Sequence, residues 1–333
     1  MTRGWRFWLS LGMAALVLAM AGSLAIGSRH IPPRDVLDAL LRANPANDLH
    51  LIVRELRVPR TLLAVLAGAA LGLAGAMMQA LTRNPLAEPG LLGINAGAAL
   101  AVVLGIAVFG LSEMSAYVWF GFAGAGLAGA VVFLLGRAHE TGTDPIRLVL
   151  AGAGLSVMLG ALTGILVLNA PIDLFNTFRK WTAGSVEGRG LNVTAVLALA
   201  VLAGGVLAAS LAGSLNAIAL GQDMGRVLGV RTGRVWALSC VTVMLLAGAA
   251  TAAAGPIGFV GLLAPHAARM ICGPDYRLIL PASGLIAAIL LLLADIAGRL
   301  VARPEEVAAG IVAVIIGGPF FILLVRRFRL VRS

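Results

Sequence analysis

A succession of ten apolar runs constrains the fold of this 333-residue chain more than any other feature. About 20 apolar residues in a helix cross the hydrocarbon core of a bilayer once, and most of the runs have that length. Of all residues, 60% are hydrophobic and 12% are charged, and the mean hydropathy is +0.98. We therefore expect an all-α, polytopic membrane bundle of about ten transmembrane helices, built as one domain over residues 1–333. The runs are 9–26, 61–81, 92–110, 117–136, 146–168, 191–212, 235–253, 257–271, 279–298 and 307–325.

The N-terminal run needs separate treatment because it follows Arg3 and Arg6 and ends near small residues, as a secretory signal would. It is longer than the usual apolar core of a signal peptide, so we interpret it as a first transmembrane helix that begins in the cytoplasm. Residues 28–60 then form the longest polar segment, an outer loop. The run 257–271 is short for a span, which indicates a tilted or broken helix.

A break in the membrane is predicted between the second and third runs. Two prolines and several glycines interrupt the helical pattern from Asn84 to Ala98. In hydrocarbon, such a backbone survives only at an interface, or where packed protein or a wet cavity satisfies its amides and carbonyls. Breaks of this kind tend to line transport paths.

Glycines recur at close spacing within several runs, for example at Gly68, Gly72 and Gly75. Small residues let helix backbones approach closely in lipid, so these positions predict tight helix packing and a closed bundle.

The net charge of +10 does not indicate a nucleic-acid partner, because the basic residues lie at the ends of apolar runs. With the N-terminus inside, 14 of the 25 basic residues fall on the inner side and 11 on the outer side, which is a weak bias. Several arginines crowd the loop 28–60, and an acidic partner on that side would explain them. The two cysteines, Cys240 and Cys272, have no partner at ligand spacing, so we expect neither a disulfide nor a metal site.

Several function classes are disfavoured by what the chain lacks. Its single lysine, Lys180, is not in a phosphate-binding loop, so the chain is not itself a P-loop ATPase, and no H-E-x-x-H metalloprotease motif occurs. An ion-coupled secondary transporter normally needs ionisable groups at membrane depth, and Asp295 is the clear case. Because Arg299 follows four residues later on the same helical face, we expect the two to neutralise each other near the outer end of that span. An ion-coupled carrier stays open as the alternative from another class.

An external energy source would need a receiving surface on the cytoplasmic side. Residues 215–230 lie there between two runs and are half apolar where an idle loop would be polar. Two short helices broken at Gly221 would present Leu220, Met224 and Leu228 to a partner. The same spacing also fits an amphipathic segment lying on lipid.

Four segments in this order resemble the FecCD-type permeases of type II ABC importers, a family that carries iron siderophores, haem and cobalamin. They are residues 57–72, Asn84 to Ala98, 215–230 and 255–266. Details at 79–86, 178–185 and 323–327 look most similar to ferric-enterobactin-like siderophore permeases. The resemblance implies a permease in the bacterial inner membrane that moves an iron chelate, most simply a ferric siderophore, from periplasm to cytoplasm; haem or cobalamin is the alternative cargo. It implies no catalysis by this chain.

The resemblance also implies partners. A pair of ABC ATPase subunits would use ATP, a periplasmic substrate-binding protein would deliver the cargo, and a second permease, identical or related, would complete the path. Membrane lipid is the remaining partner. We expect no covalently bound cofactor, no metal and no nucleic acid.

Site residues are carried over position by position. Arg57, Arg60 and Arg299 match outward-facing arginines that meet acidic residues of the binding protein. Asn84 and Leu86 match a cytoplasmic gate. The coupling positions that would enter the ATPase are Leu215, Asn216, Leu220, Gly221, Asp223, Met224, Leu228 and Gly229.

Trp181, Gly184 and Ser185 lie near the pathway by resemblance, although Trp181 also fits an interfacial aromatic belt. The chain departs from relatives at Thr143 to Ile146, so a second gate there is not assigned.

Overall fold

We describe the protein from a computed structural model, which covers residues 3–27, 30–42, 44–111, 114–136 and 145–330. Every regular element in these ranges is helical, which confirms the all-α prediction. The helices are α1 (Arg3–Ala25), α2 (Pro33–Leu41), α3 (Asp48–Leu51), α4 (Val58–Thr82), α5 (Ile94–Phe109), α6 (Met114–Leu135), α7 (Pro145–Leu168), α8 (Ile172–Thr182), α9 (Leu191–Ala219), α10 (Gln222–Val227), α11 (Thr232–Ala254), α12 (Val260–Cys272), α13 (Tyr276–Val301) and α14 (Ala309–Leu330). A π-helical turn, Ile52–Arg57, joins α3 to α4, and a 3-10 turn, Pro89–Leu92, precedes α5.

The apolar runs reappear as helices with shifted ends. In the described ranges, seven helices are long and apolar enough to cross a membrane, and three shorter apolar helices, Ile94–Phe109, Val260–Cys272 and Ala309–Leu323, account for the other predicted runs. The chain is therefore a multi-pass membrane bundle. The helix predicted at 257–271 is short, as expected, and it begins only at Val260.

The centre of the bundle is α4, which packs against α13, α11, α9 and α12. Its glycines permit the close approach that the sequence predicts. A Cβ atom built on Gly72 would lie 2.3 Å from the carbonyl oxygen of Ser283, and one on Gly75 would lie 1.8 Å from that of Gly261. Because nothing larger than hydrogen fits there, α4 meets α13 and α12 backbone to backbone.

Most of the described part of the predicted outer loop, residues 28–60, is helical. Helix α2 lies within it, and a continuous helical segment of 35 residues runs from Asp48 to Thr82. At 1.5 Å per residue that segment is about 52 Å long, more than a bilayer core requires. Its early turns pack on α2 through a small separate core. The members of that core are Ile31, Val36, Ala39 and Val53.

Two interruptions of the helical pattern come together inside the bundle. The first lies between α4 and α5, and the second is the stretch from Gly255 to Phe259 between α11 and α12. Thr251, near the end of α11, donates a hydrogen bond of 2.9 Å to the Asn95 side chain at the start of α5. The irregular backbone of one break is thereby packed against the other within the protein.

Candidate functional site

A cluster of charged side chains lies at the end of the bundle where α4 begins and α13 ends, called here the cluster end. The Arg60 guanidinium binds the Asp295 carboxylate through Nε and Nη2, at 3.0 and 2.7 Å from Oδ1. The Arg60 Nη1 atom lies 2.6 Å from Glu306 Oε2. Arg299 also pairs with Asp295, one helical turn before it. The predicted neutralisation of Asp295 by Arg299 is confirmed, and Arg60 is a second partner.

The remaining donors of these arginines tie the end of α1 to the cluster. Arg57 donates to the carbonyls of Leu24 and Ala25 at 2.7 and 2.8 Å. Arg299 donates to the carbonyl of Ser23 at 2.8 Å and to its hydroxyl at 2.8 Å. These bonds satisfy carbonyls at a helix C-terminus that have no intrahelical partner.

The burial of the three arginines corrects one part of the prediction. Arg57 and Arg299 are 6% and 1% exposed, so they do not face outward as free charges. Arg60 lies at the edge of the cluster, with 11% of its side chain accessible. Whether any of them contacts a partner stays a prediction.

The predicted gate residues lie at the opposite end of the bundle, where α4 stops. Arg83 takes a left-handed conformation, with φ 49°, that ends the helix. The side chain of Asn84 is exposed and accepts a 2.9 Å hydrogen bond from the backbone amide of Leu86, a local turn that fixes the first bend of the break. Leu86 is partly buried.

Glu88, which sequence reasoning did not select, joins the two breaks. Its carboxylate accepts a hydrogen bond from the backbone amide of Phe259, the residue that precedes α12. Burial raises the pKa of the Glu88 carboxyl above its ordinary value, while the hydrogen bond from Phe259 opposes that shift.

Phe259 itself has φ 66°, which is unusual for a non-glycine residue, and its ring stacks edge-on against Phe321 at 6.1 Å. The Glu88 carboxylate therefore binds the residue that precedes α12, and the ring of that residue, Phe259, packs on α14. These contacts link the first break to both helices.

The segment 215–230 has a different shape from the one predicted. Its first part is not a separate short helix, because α9 continues to Ala219, about two turns beyond the predicted end of that run. The break does lie at Gly221, with φ 123°, and α10 follows it. We call the surface that α10 and its flanks expose the α10 knob. It lies at the bundle end opposite the cluster.

Exposure separates the predicted coupling residues into two groups. Leu220, Met224 and Leu228 are 72%, 50% and 58% exposed, so they are available on the α10 knob, as are Asp223 and Gly229. Leu215 is fully buried. Asn216 donates a 2.7 Å hydrogen bond to the Asp275 carboxylate and accepts one from the Tyr276 amide.

Leu215 is thus not available on the α10 knob and Asn216 is partly buried; whether either takes part in coupling stays a prediction. Both face α9's neighbours, and Asn216 caps the start of α13. The hydrogen bond from Asn216 lowers the pKa of the Asp275 carboxyl.

The pathway candidates lie where the chain passes from α8 to α9. Trp181 is 1% exposed, stacked against Phe178 at 6.1 Å, so it is not an interfacial belt residue. Gly184 has φ 72°, and its carbonyl accepts a 2.7 Å hydrogen bond from the Gly310 amide. Ser185 is partly exposed and its hydroxyl accepts a hydrogen bond from the Glu187 amide.

No metal centre is indicated in the part of the chain that the structure describes, where no group of three or more His, Cys, Asp or Glu side chains could hold an ion. The described residues form a bundle with a charged end, and a bent segment and an apolar knob both lie at the opposite end.

Comparison with known proteins gives a consistent result. The family model of the FecCD transport family matches residues 15–327. The ferric enterobactin transport system permease protein FepD of Escherichia coli (strain K12) is 44% identical over 313 residues, covering 94% of this chain and 92% of that protein. The iron(3+)-hydroxamate import system permease protein FhuB of Bacillus subtilis (strain 168) is 38% identical over 322 residues, covering 96% and 83%.

A solved structure has the same architecture. An inward-facing conformation of a metal-chelate type ABC transporter superposes with a TM-score of 0.81 at 27% identity, covering 97% of this chain and 99% of that one.

Proposed function

Because this chain belongs to the FecCD transport family, with the match spanning residues 15–327, we propose that it is a permease subunit of an ATP-binding-cassette importer for an iron chelate, most simply a ferric siderophore. The family match carries this proposal. The named relatives that support it transport ferric enterobactin and iron(3+)-hydroxamate. The chain is not an enzyme; the chemistry of ATP hydrolysis belongs to a partner.

We further propose that the permease lies in the bacterial inner membrane with the cluster end in the periplasm and the α10 knob in the cytoplasm. An N-terminus inside places the start of α4 outside, since α1 crosses first. Its partners would be two ABC ATPase subunits, a periplasmic substrate-binding protein and a second permease, identical or related. ATP is used by the ATPase subunits.

The α10 knob is proposed as the surface that enters the ATPase. An exposed apolar surface on a water-facing end is unfavourable unless something covers it, and Leu220, Met224 and Leu228 are such a surface. Gly221 and Gly229 bound the knob with backbone conformations that favour glycine. Asp223 adds an exposed charge at its edge.

The gate is proposed at the bend that Asn84 and Leu86 form at the same end of the bundle as the knob. ATP binding would draw the ATPases together, and movement of α10 would reach the bend through the packed inner end of the bundle. Gly184 and Ser185, and Trp181 behind them, are proposed as a part of the outer pathway. Arg60 is proposed as the docking contact for the binding protein, with Arg57 and Arg299 supporting it from within.

Reconstituted transport tests the function directly. The permease, its second permease and the ATPase are placed in proteoliposomes, and uptake of a ⁵⁵Fe-labelled catecholate siderophore is measured with its binding protein outside. We expect uptake to require enclosed ATP and to persist with a protonophore. A hydrolysis-deficient ATPase is the matched control.

Two outcomes would contradict the proposal. Uptake by the permease alone, abolished by the protonophore, would indicate an ion-coupled carrier. ATP-driven uptake of haem or cobalamin but not of any ferric siderophore would keep the importer and overturn the cargo.

A further inference from the structure

Arg60 holds two carboxylates in unequal ways. Its Nε and Nη2 atoms form a two-pronged contact with Asp295, the geometry that makes arginine–carboxylate pairs strong. Nη1 alone reaches Glu306, at 2.6 Å. The Nε and Nη2 donors of Arg60 are thus both bound to Asp295. The Nη1 donor, which binds Glu306, is the part of Arg60 that can change partners.

The two carboxylates also differ in burial and in their other contacts. The side chain of Asp295 is 1% exposed and is shared with Arg299 on its own helix. The Glu306 side chain is 16% exposed, and its one ion pair among the described residues is with Arg60. Glu306 lies in the connection between α13 and α14, outside both helices. Asp295 is a fixed anchor, whereas Glu306 is at the rim.

The charges of the cluster do not cancel. Arg57, Arg60 and Arg299 face Asp295 and Glu306, which leaves one positive charge among five groups. This residual charge lies at the cluster end and would attract an acidic partner. Removing the charge of Glu306 would raise this residual positive charge.

We propose that Glu306 pairs with Arg60 in the undocked permease, at the position that an acidic side chain of the substrate-binding protein takes on docking. Docking displaces Glu306, while Asp295 keeps Arg60 in position. The inference rests on the proposed function, since it takes the partner from it. Glu306 is then a competitor of the docking partner, and Asp295 is a positioning residue that does not touch it.

An exchange of carboxylates explains how a mostly buried arginine can serve in docking at all. Leaving a buried guanidinium unpaired is strongly unfavourable, but replacing one carboxylate by another leaves Arg60 paired throughout. The Arg60–Glu306 pair is the more exposed of the two pairs that Arg60 makes, so this exchange displaces the less buried carboxylate. The displaced Glu306 would move into water with its connecting segment.

The test compares two neighbouring glutamates. Glu306→Gln removes the competitor's charge and keeps its shape, and Glu305→Gln removes the same charge from an exposed side chain without an ion pair among the described residues. Binding is measured on the complete permease–ATPase complex in nanodiscs by biolayer interferometry. The probe is the purified substrate-binding protein that supports ATP-driven uptake through this permease.

We expect Glu306→Gln to tighten binding on the order of 3- to 10-fold at low salt, mainly through a faster association rate and with a steeper salt dependence. Glu305→Gln should change it less than 2-fold, roughly the general effect of one screened charge. Glu306→Asp should stay near wild type, because the competing charge remains.

Weaker binding of Glu306→Gln, or equal gains in both glutamine variants, would overturn the inference, since Glu306 would then aid docking or act only through total charge. Those results would leave the proposed function standing if uptake continues. Conversely, the expected pattern in a complex that transports a different cargo would support the inference and remove the iron-siderophore assignment. Failure of every binding protein to associate with the wild-type complex would overturn both.

Discussion

Asp295 is the residue on which the cluster end depends most. It is fully buried and satisfies two guanidinium groups, those of Arg60 and Arg299. Removing one partner of a buried pair costs about 3–5 kcal/mol, because the other charge stays buried without compensation. We expect Asp295→Asn to lower the stability of the purified permease by at least this order, read as a lower midpoint of thermal unfolding in detergent.

Asp173→Asn is the control for that measurement, because Asp173 is exposed on α8. Its midpoint should match the wild type. An Asp295→Asn protein as stable as the control would mean that the cluster contributes no net stabilisation, and the anchoring role of Asp295 would have to be abandoned.

Glu88 predicts a pH dependence with a definite sign. Burial raises its folded-state pKa above the ordinary value of 4.5, so the folded protein holds this proton more tightly than the unfolded chain. Stability from this group is present below about pH 4.5 and is lost as pH rises through the raised value. Glu88→Gln keeps an acceptor for the Phe259 amide without the charge. The thermal unfolding midpoint of the Glu88→Gln protein, relative to that of the wild type, should therefore rise between pH 5 and pH 8.

The difference between the two unfolding midpoints, followed across that range, is the measurement. A difference that is constant with pH would show that the Glu88 carboxyl titrates alike in the folded and unfolded states.

At the residue scale, sequence reasoning succeeded where contacts are local. The spacing of four between Asp295 and Arg299 predicts their pair because such residues share a helical face. Nothing local links Arg60 to Asp295 or Ser23 to Arg299, since α1, α4 and α13 meet only after folding. The same reason hides Glu88, whose partner Phe259 is far along the chain.

At the scale of elements, α4 shows how glycine fixes a helix contact. Gly75→Val would place its side chain against the Gly261 carbonyl, which leaves no room, so α4 and α12 must separate. Overpacking of this kind costs about 1–3 kcal/mol or more. We expect little monodisperse protein in fluorescence-detected size-exclusion chromatography. Gly160→Val on α7, where nothing lies within 4 Å, should run as wild type; an unaffected Gly75 variant would contradict the observed packing.

The α10 knob gives a prediction about coupling. Leu220→Asp with Asp223→Arg places one charge on the exposed apolar surface and reverses another, without touching buried groups. ATPase activity of the assembled complex should lose most of its stimulation by the loaded binding protein, while membrane insertion stays normal. Leu41→Asp, equally exposed but on α2, is the control. Wild-type stimulation in the double variant would remove the knob as the coupling surface.

The elements that the sequence predicted are those with a long apolar signal. Helices α2 and α8 were missed because each is short and amphipathic, and neither contains a long apolar run. The ends of α4 and α9 extend past their predicted apolar runs and include buried residues such as Pro59 and Leu215, so tertiary packing helps to set their length.

For the molecule as a whole, the charged cluster changes how the number of basic residues on each side of the membrane is interpreted. The sequence gives a weak inner excess of basic residues, with 11 of 25 on the outer side. Arg57, Arg60 and Arg299 are among these 11, yet Arg57 and Arg299 are buried, Arg60 is mostly buried, and all three are bound to carboxylates or carbonyls. They are fixed by packing and not by the lipid surface. Without them the inner excess is clearer, which supports an N-terminus inside.

That orientation can be tested at two exposed sites on opposite ends of the bundle. In a protein lacking the partly exposed thiol of Cys272, Asp223→Cys lies on the α10 knob and Glu305→Cys lies beside the charged cluster. A membrane-impermeant maleimide added to intact spheroplasts should label Glu305→Cys and should reach Asp223→Cys only after permeabilisation. The remaining thiol, Cys240, is buried and serves as the background control. The reverse labelling pattern would show that the permease has the opposite orientation in the membrane. In that orientation Arg60 would face the cytoplasm and could not bind a periplasmic protein.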